Sequence, residues 1–194
     1  MNAGRTALIL LASASAVSAA ATTGTASPAA PAEWRTYDVL VPLQNLPTSY
    51  SCDELWYKFR ALLLTFGARA YMTISPYHCG YVGGPPAHSP SVELKFQLPE
   101  VLHGAATRYA QISVVEKTIR LAPGTPAALQ PGDCELMMQL QDLLFPALPL
   151  HVSPSRSGFK CTRHAHASFA LTVSASIAVP APARGTTVAA NTAR

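Results

Sequence analysis

Six histidines, four cysteines and a small basic cluster are the residues of this 194-residue chain whose types and spacing could do chemistry. His164 and His166 alternate within Cys161-Thr162-Arg163-His164-Ala165-His166, and His78 and His88 flank another cysteine, Cys79. Imidazole suits copper, zinc or nickel. One candidate is therefore a surface metal site built from His78, His88, His164 and His166. Neither zinc-finger spacing nor a helical histidine pair is present, so solvated loop histidines account for the same pattern.

Arg156, Lys160 and Arg163, with Phe159 between them, form a cluster able to take a carboxylate, a phosphate or an anionic envelope polymer. Tyr77 and Tyr81 are amphipathic residues of the kind that populate contact surfaces. Together Tyr77, Tyr81, Arg156, Lys160 and Arg163 are the candidate binding surface, on loops 76–90 and 154–167. No catalytic residue is assigned. The chain lacks a phosphate-binding glycine loop, a nucleophile-elbow serine, His-Glu-x-x-His and Cys-x-x-Cys, and no cofactor is implied.

The cysteines say most about what positions these groups. Cys52 and Cys79 are 27 residues apart, and so are Cys134 and Cys161. Cys52 follows Ser51, a natural N-cap with Glu54 three residues on; Cys134 follows Asp133, a second N-cap candidate. Leu55, Phe59, Leu62, Leu63 and Phe66 make an apolar stripe of helical period stopped by Gly67. Leu136, Leu140, Leu143 and Leu144 make a second, stopped by Pro146.

A helix of about 15 residues advances about 22 Å, and a following strand returns towards its start. That geometry predicts disulfides Cys52–Cys79 and Cys134–Cys161. Four cysteines would also allow two other pairings.

The remaining elements read as strands. Residues 36–43 alternate with Tyr37, Val39 and Val41 on one face. A strand is expected at 69–75. Val92, Leu94, Phe96 and Leu98 alternate with Glu93, Lys95 and Gln97 up to Pro99. A long extended run is expected over 107–121, with a bulge where the alternation slips at Val114-Val115. A short strand near 148–153 and a last one through Phe169, Leu171, Val173, Ala175 and Ile177 complete the set.

The fold class is α+β: a two-layer sandwich of an antiparallel-rich sheet with two helices on one face, in pseudo-duplicated strand-helix-strand-strand units. The half-repeats span about 35–106 and 107–179 of a single domain, 35–179.

Residues 1–19 carry Arg5, an apolar run from Ala7 to Val17 and the small-residue site Val17-Ser18-Ala19, the three parts of a secretory signal peptide. Residues 20–34 read as a disordered linker and 180–194 as a disordered tail, because Ala, Thr, Ser and Pro bury too little to offset ordering entropy. No later stretch is long enough to span a membrane. Export makes disulfides the expected state of the cysteines.

Net charge is +4 for the whole chain. Within 35–179 there are 11 basic and 9 acidic residues, a net +2, too little for a nucleic-acid footprint. The expectation is a soluble periplasmic or secreted protein, a non-enzymatic binding or interaction module whose partner is a protein or an anionic envelope ligand. The alternatives are a periplasmic metal-binding protein using the loop histidines and, third, a hydrolase with a dispersed site.

Overall fold

The computed structural model describes residues 29–79, 89–153, 161 and 169–179. The expected signal segment 1–19, most of the expected linker and the tail 180–194 lie outside the described residues. In chain order the elements are β1 (Ala30–Pro42), α1 (Cys52–Thr65), β2 (Thr73–Tyr77), β3 (Ser91–Val101), β4 (Ile112–Leu121), α2 (Cys134–Leu143), β5 (His151–Ser153) and β6 (Leu171–Val179).

All six strands join one sheet in the order β2-β3-β1-β4-β6-β5, and every neighbouring pair is antiparallel. The order reads the same from either edge when β1, β2 and β3 are exchanged with β4, β5 and β6. Only Ala30–Ala32 of β1 pairs with β4, at Ile112–Val114, so the centre of the sheet is a short seam between two longer half-sheets. The non-neighbours β3 and β6 approach one another, which requires the sheet to curl. Both helices contribute to one core with the inward strand faces: Leu55, Phe59 and Leu62 from α1, Leu136, Met137 and Leu140 from α2, and Leu94, Phe96, Ile119 and Val173 from the sheet.

Helix α1 starts where its cap dictates. The Ser51 side chain accepts from the Glu54 backbone N–H at 3.1 Å, replacing a partner that the first turn lacks. Gly67 closes the helix at φ +88°, a left-handed conformation open to glycine. The following chain does not enter a strand at 69. Arg69 makes a single backbone bond to the Gln97 carbonyl, and pairing with β3 begins at Thr73, opposite Lys95. Register with a distant partner, which local alternation cannot supply, sets that start.

Four other expectations change. β1 begins at Ala30, inside the expected linker. Its small residues are held by backbone pairing on two sides, Ala32 to both Val101 and Ile112, and the Arg69 guanidinium lies 4.4 Å from the centre of the Trp34 ring. Pro99 does not end β3, which runs on to Val101. The Gln97 carbonyl points to the edge away from β1, where it meets Arg69. Pro99 shares that orientation, so its missing N–H removes no bond to β1.

The run 107–121 is divided. Gly104–Tyr109 is a 3-10 turn, and β4 pairs with β6 in unbroken register from Ser113↔Val179 to Leu121↔Leu171, so there is no bulge. The apolar phase slips because different faces are covered at the two ends of β4: Val114 is buried on the outer face at the seam, and Ile119 and Leu121 on the inner face. Finally, Leu143 is 40% exposed, while Met137 and Leu144 are fully buried. The helix stops at Leu143 and continues as a 3-10 turn, Phe145–Ala147, with Pro146 inside it.

Candidate binding sites

The first site is the end of the molecule where the two helices begin. Cys52, the first residue of α1, is bonded to Cys79, and Cys134, the first residue of α2, is bonded to Cys161. Their Cα–Cα distances are 5.2 and 5.4 Å. The two helix starts are side by side. The Thr48 hydroxyl donates to the Gly132 carbonyl at 3.2 Å, and the Tyr50 hydroxyl to Asp133 Oδ1 at 2.9 Å. Both disulfides therefore lie at one end, together with Tyr77 and His78, which lead β2 into Cys79.

A buried ion pair fastens the helices there. Lys58, only 2% exposed, donates from Nζ to Asp133 Oδ2 at 2.8 Å and to the Ala128 carbonyl at 3.1 Å, and lies 3.2 Å from Glu54 Oε1. Asp133 Oδ2 also accepts the Gln130 backbone N–H. This corrects the role expected for Asp133. Its carboxylate makes no capping bond to α2; it closes the preceding 3-10 turn, Pro131–Asp133, and neutralises a lysine from the other half of the chain. Burial, followed by the adjacent Asp133 carboxylate, pushes the Tyr50 phenol far above its ordinary range.

Lys58 and Tyr50 were not singled out from the sequence. A signal was present: Lys58 stands three residues after Leu55 and four before Leu62, on the apolar stripe, where a lysine must find a carboxylate.

The residues proposed from sequence are only partly within the described chain. His88, His164, His166, Tyr81, Arg156, Lys160 and Arg163 lie outside the described residues. Tyr77 is exposed and donates its hydroxyl to Glu93 Oε2 at 2.8 Å, a bond that raises its pKa. His78 is exposed, with φ +56° at the turn into Cys79. Among the described residues no three His, Cys, Asp or Glu side chains converge on a point that could hold a metal.

The second site is a cleft of about 560 Å³ over the seam, at the opposite end of β1 from the disulfides. Register explains its lining. Ala30 pairs with Val114, Glu116 with Ser176 and His151 with Ser174, so these side chains share the sheet face opposite Ile119 and Val173. Val101, Leu148 and Leu150 add apolar wall, and Glu100 and His103 complete the polar part.

Glu100 is already engaged. Arg35 Nη1 donates to both its oxygens, at 2.8 and 2.9 Å, and the Tyr37 hydroxyl lies 3.3 Å from Oε2. Burial first, then Glu100, pushes the Tyr37 phenol up to about 12. His151 stands across from Ser174, but no hydrogen bond joins them among the described residues. The cleft thus offers a hydroxyl and an imidazole, Ser174 and His151, that face one another across β5 and β6. The sequence hint was the alternation of small serines with apolar residues along β6, which leaves a shallow outer face.

Comparison of the chain with protein-family models, with curated proteins and with solved structures finds no match. The class defined by this geometry is therefore structural: an α+β domain with two disulfides at one end, one at the start of each helix, and with no helix among the described residues long and apolar enough to cross a membrane.

Proposed function

We propose that this chain is an exported, non-enzymatic binding module of the periplasm or cell exterior, and that its binding face is the disulfide end. The observation that carries the reading is the adjacency of the two bridges. Each ties a helix start to a cysteine bordering one of the two longest candidate loops, and the Lys58–Asp133 pair joins the helix starts beneath them. Loops carried on a rigid base are where recognition usually resides, and disulfides are favoured outside the cytosol. The basic cluster Arg156, Lys160 and Arg163 makes an anionic envelope polymer or an acidic protein surface the preferred partner.

The test is binding of the full mature chain to immobilised dextran sulfate, with neutral dextran as control. Salt-sensitive retention that is lost when Arg156, Lys160 and Arg163 are all changed to alanine supports the reading. Equal behaviour on both matrices, or retention unchanged in the triple variant, contradicts it.

A second reading, a metal site using His78, His88, His164 and His166, draws support from His78, which adjoins Cys79 at the end where the second bridge also lies. Calorimetric titration with Cu²⁺ and Zn²⁺ separates the two: micromolar binding lost in His164→Ala favours the metal site, and no binding below millimolar removes it.

A further inference from the structure

The cleft over the β1–β4 seam is a second site, independent of the disulfide end. Its volume of about 560 Å³ falls within the usual range for small-molecule sites, roughly 300–1,000 Å³. Its wall is aliphatic, from Val101, Val114, Leu148 and Leu150, and among the described lining residues there is no Phe, Tyr, Trp, Lys or Arg. Its carboxylates are Glu100 and Glu116, and His103 and His151 complete the titratable part of the lining.

The two carboxylates are not equivalent. Glu100 is neutralised by Arg35 and capped by Tyr37. Glu116 has no hydrogen-bond or ion-pair partner among the described residues. The basic residue on its face of β4 is Arg120, four positions further along and so about 13 Å away. A carboxylate beside an apolar wall favours a cation with a hydrocarbon body. An anion would meet uncompensated negative charge. A sugar would lack the Trp, Tyr or Phe platform on which it commonly stacks, and among the described residues no three ligands converge to hold a metal ion.

We propose that this cleft binds a small aliphatic amine, its ammonium group on the Glu116 carboxylate beside Ser176 and its alkyl chain against Val101 and Leu150, over the buried Val114 and Leu148. Ser176 is paired with Glu116 across β4 and β6, so its hydroxyl is positioned to accept a second ammonium proton.

The test compares three probes with one hydrocarbon tail, hexylamine, hexanol and hexanoate, titrated into the full chain and followed by backbone amide shifts. The expected order of affinity is hexylamine, then hexanol, then hexanoate, with shifts centred on Val114, Glu116 and Ser176. Glu116→Gln changes an exposed side chain. It is expected to weaken hexylamine roughly tenfold, the loss of one charge-assisted contact, and to leave hexanol unchanged. Hexanoate binding as tightly as hexylamine, hexylamine binding unaltered in Glu116→Gln, or no saturable binding of hexylamine at millimolar concentration would each overturn the proposal.

Discussion

Lys58 and Asp133 are each 2% exposed and share one hydrogen-bonded contact at 2.8 Å, and the cost of separating them is set by what is left behind. In Lys58→Met the Asp133 carboxylate keeps Tyr50 and Gln130 as donors but loses its counter-charge. Breaking a buried pair from one side typically costs about 3–5 kcal/mol, and a loss of that size is expected in chemical denaturation of Lys58→Met. Replacing both partners, Lys58→Met with Asp133→Leu, should recover a substantial part of it. A loss within about 0.5 kcal/mol, the range of ordinary surface substitutions, would mean that the pair is wetter than its burial implies.

Tyrosine titration gives a second handle at this scale. The Tyr37 phenol has an ordinary value of 10.0 and is held at about 12 in the folded chain, so the folded state binds this proton more tightly than the unfolded chain. The resulting stability is fully present below pH 10 and is lost as pH rises towards 12. Tyr50 is raised in the same direction. Alkaline unfolding followed by phenolate absorbance should therefore be less steep in Tyr37→Phe than in the parent; an unchanged slope would contradict the assignment. The same contrast decides what was legible at this scale. Ser51 and Gly67 act locally and could be read from neighbours in sequence. Lys58 and Tyr50 act on a carboxylate more than seventy residues away, and only the apolar phase of Lys58 hinted at a partner.

Elements were legible in proportion to how far local rules decide them. Helix α1 has its cap, stripe and stop within seventeen residues, Ser51 to Gly67, and it forms where those signals place it. Gly67 carries a further constraint absent from the sequence. A Cβ there would lie 2.8 Å from Ile177 Cδ1 and 3.3 Å from the Ser176 carbonyl oxygen, on a backbone at φ +88°. Gly67→Ala is thus expected to destabilise by about 1–3 kcal/mol, combining left-handed strain with a contact the neighbours must relieve. Asparagine, which tolerates φ > 0 better, would recover only the backbone share. Thermal unfolding of the two variants measures this, and a Gly67→Ala protein as stable as the parent would show that α1 ends differently.

Strand limits were less legible because partners decide them. β2 begins at Thr73 where β3 is available. β3 passes through Pro99 because that edge needs no donor. β4 changes its buried face without a bulge because the cover changes at the seam. Both edge strands are short: β2 contains Pro76 and β5 has three residues, which limits edge-to-edge association.

At the scale of the molecule, the class of fold could be read from two helical stripes among alternating strands. The order β2-β3-β1-β4-β6-β5 could not, since it depends on a seam of three residue pairs. The cleft was equally hidden, because β1, β3, β4, β5 and β6 all contribute to its wall. The disulfide end was half visible: the equal spacing of 27 residues marks two loops, but their adjacency rests on Tyr50 and Thr48 reaching across to Asp133 and Gly132.

Each bridge closes a loop of that length, worth on the order of 3–4 kcal/mol in the chain-entropy account. A folded chain with both bridges reduced should therefore lose a large fraction of the stability usual for a domain, about 5–15 kcal/mol. The most direct test of the exported, doubly bridged platform is non-reducing peptide mapping of the protein recovered from the cells that make it, with sequencing of its N-terminus. The account predicts a mature chain beginning at Ala20, recovered outside the cytoplasm, with Cys52 joined to Cys79 and Cys134 to Cys161. An intact Met1 on a cytoplasmic protein with four free thiols, or a bridge crossing from Cys52 to Cys134, would contradict it.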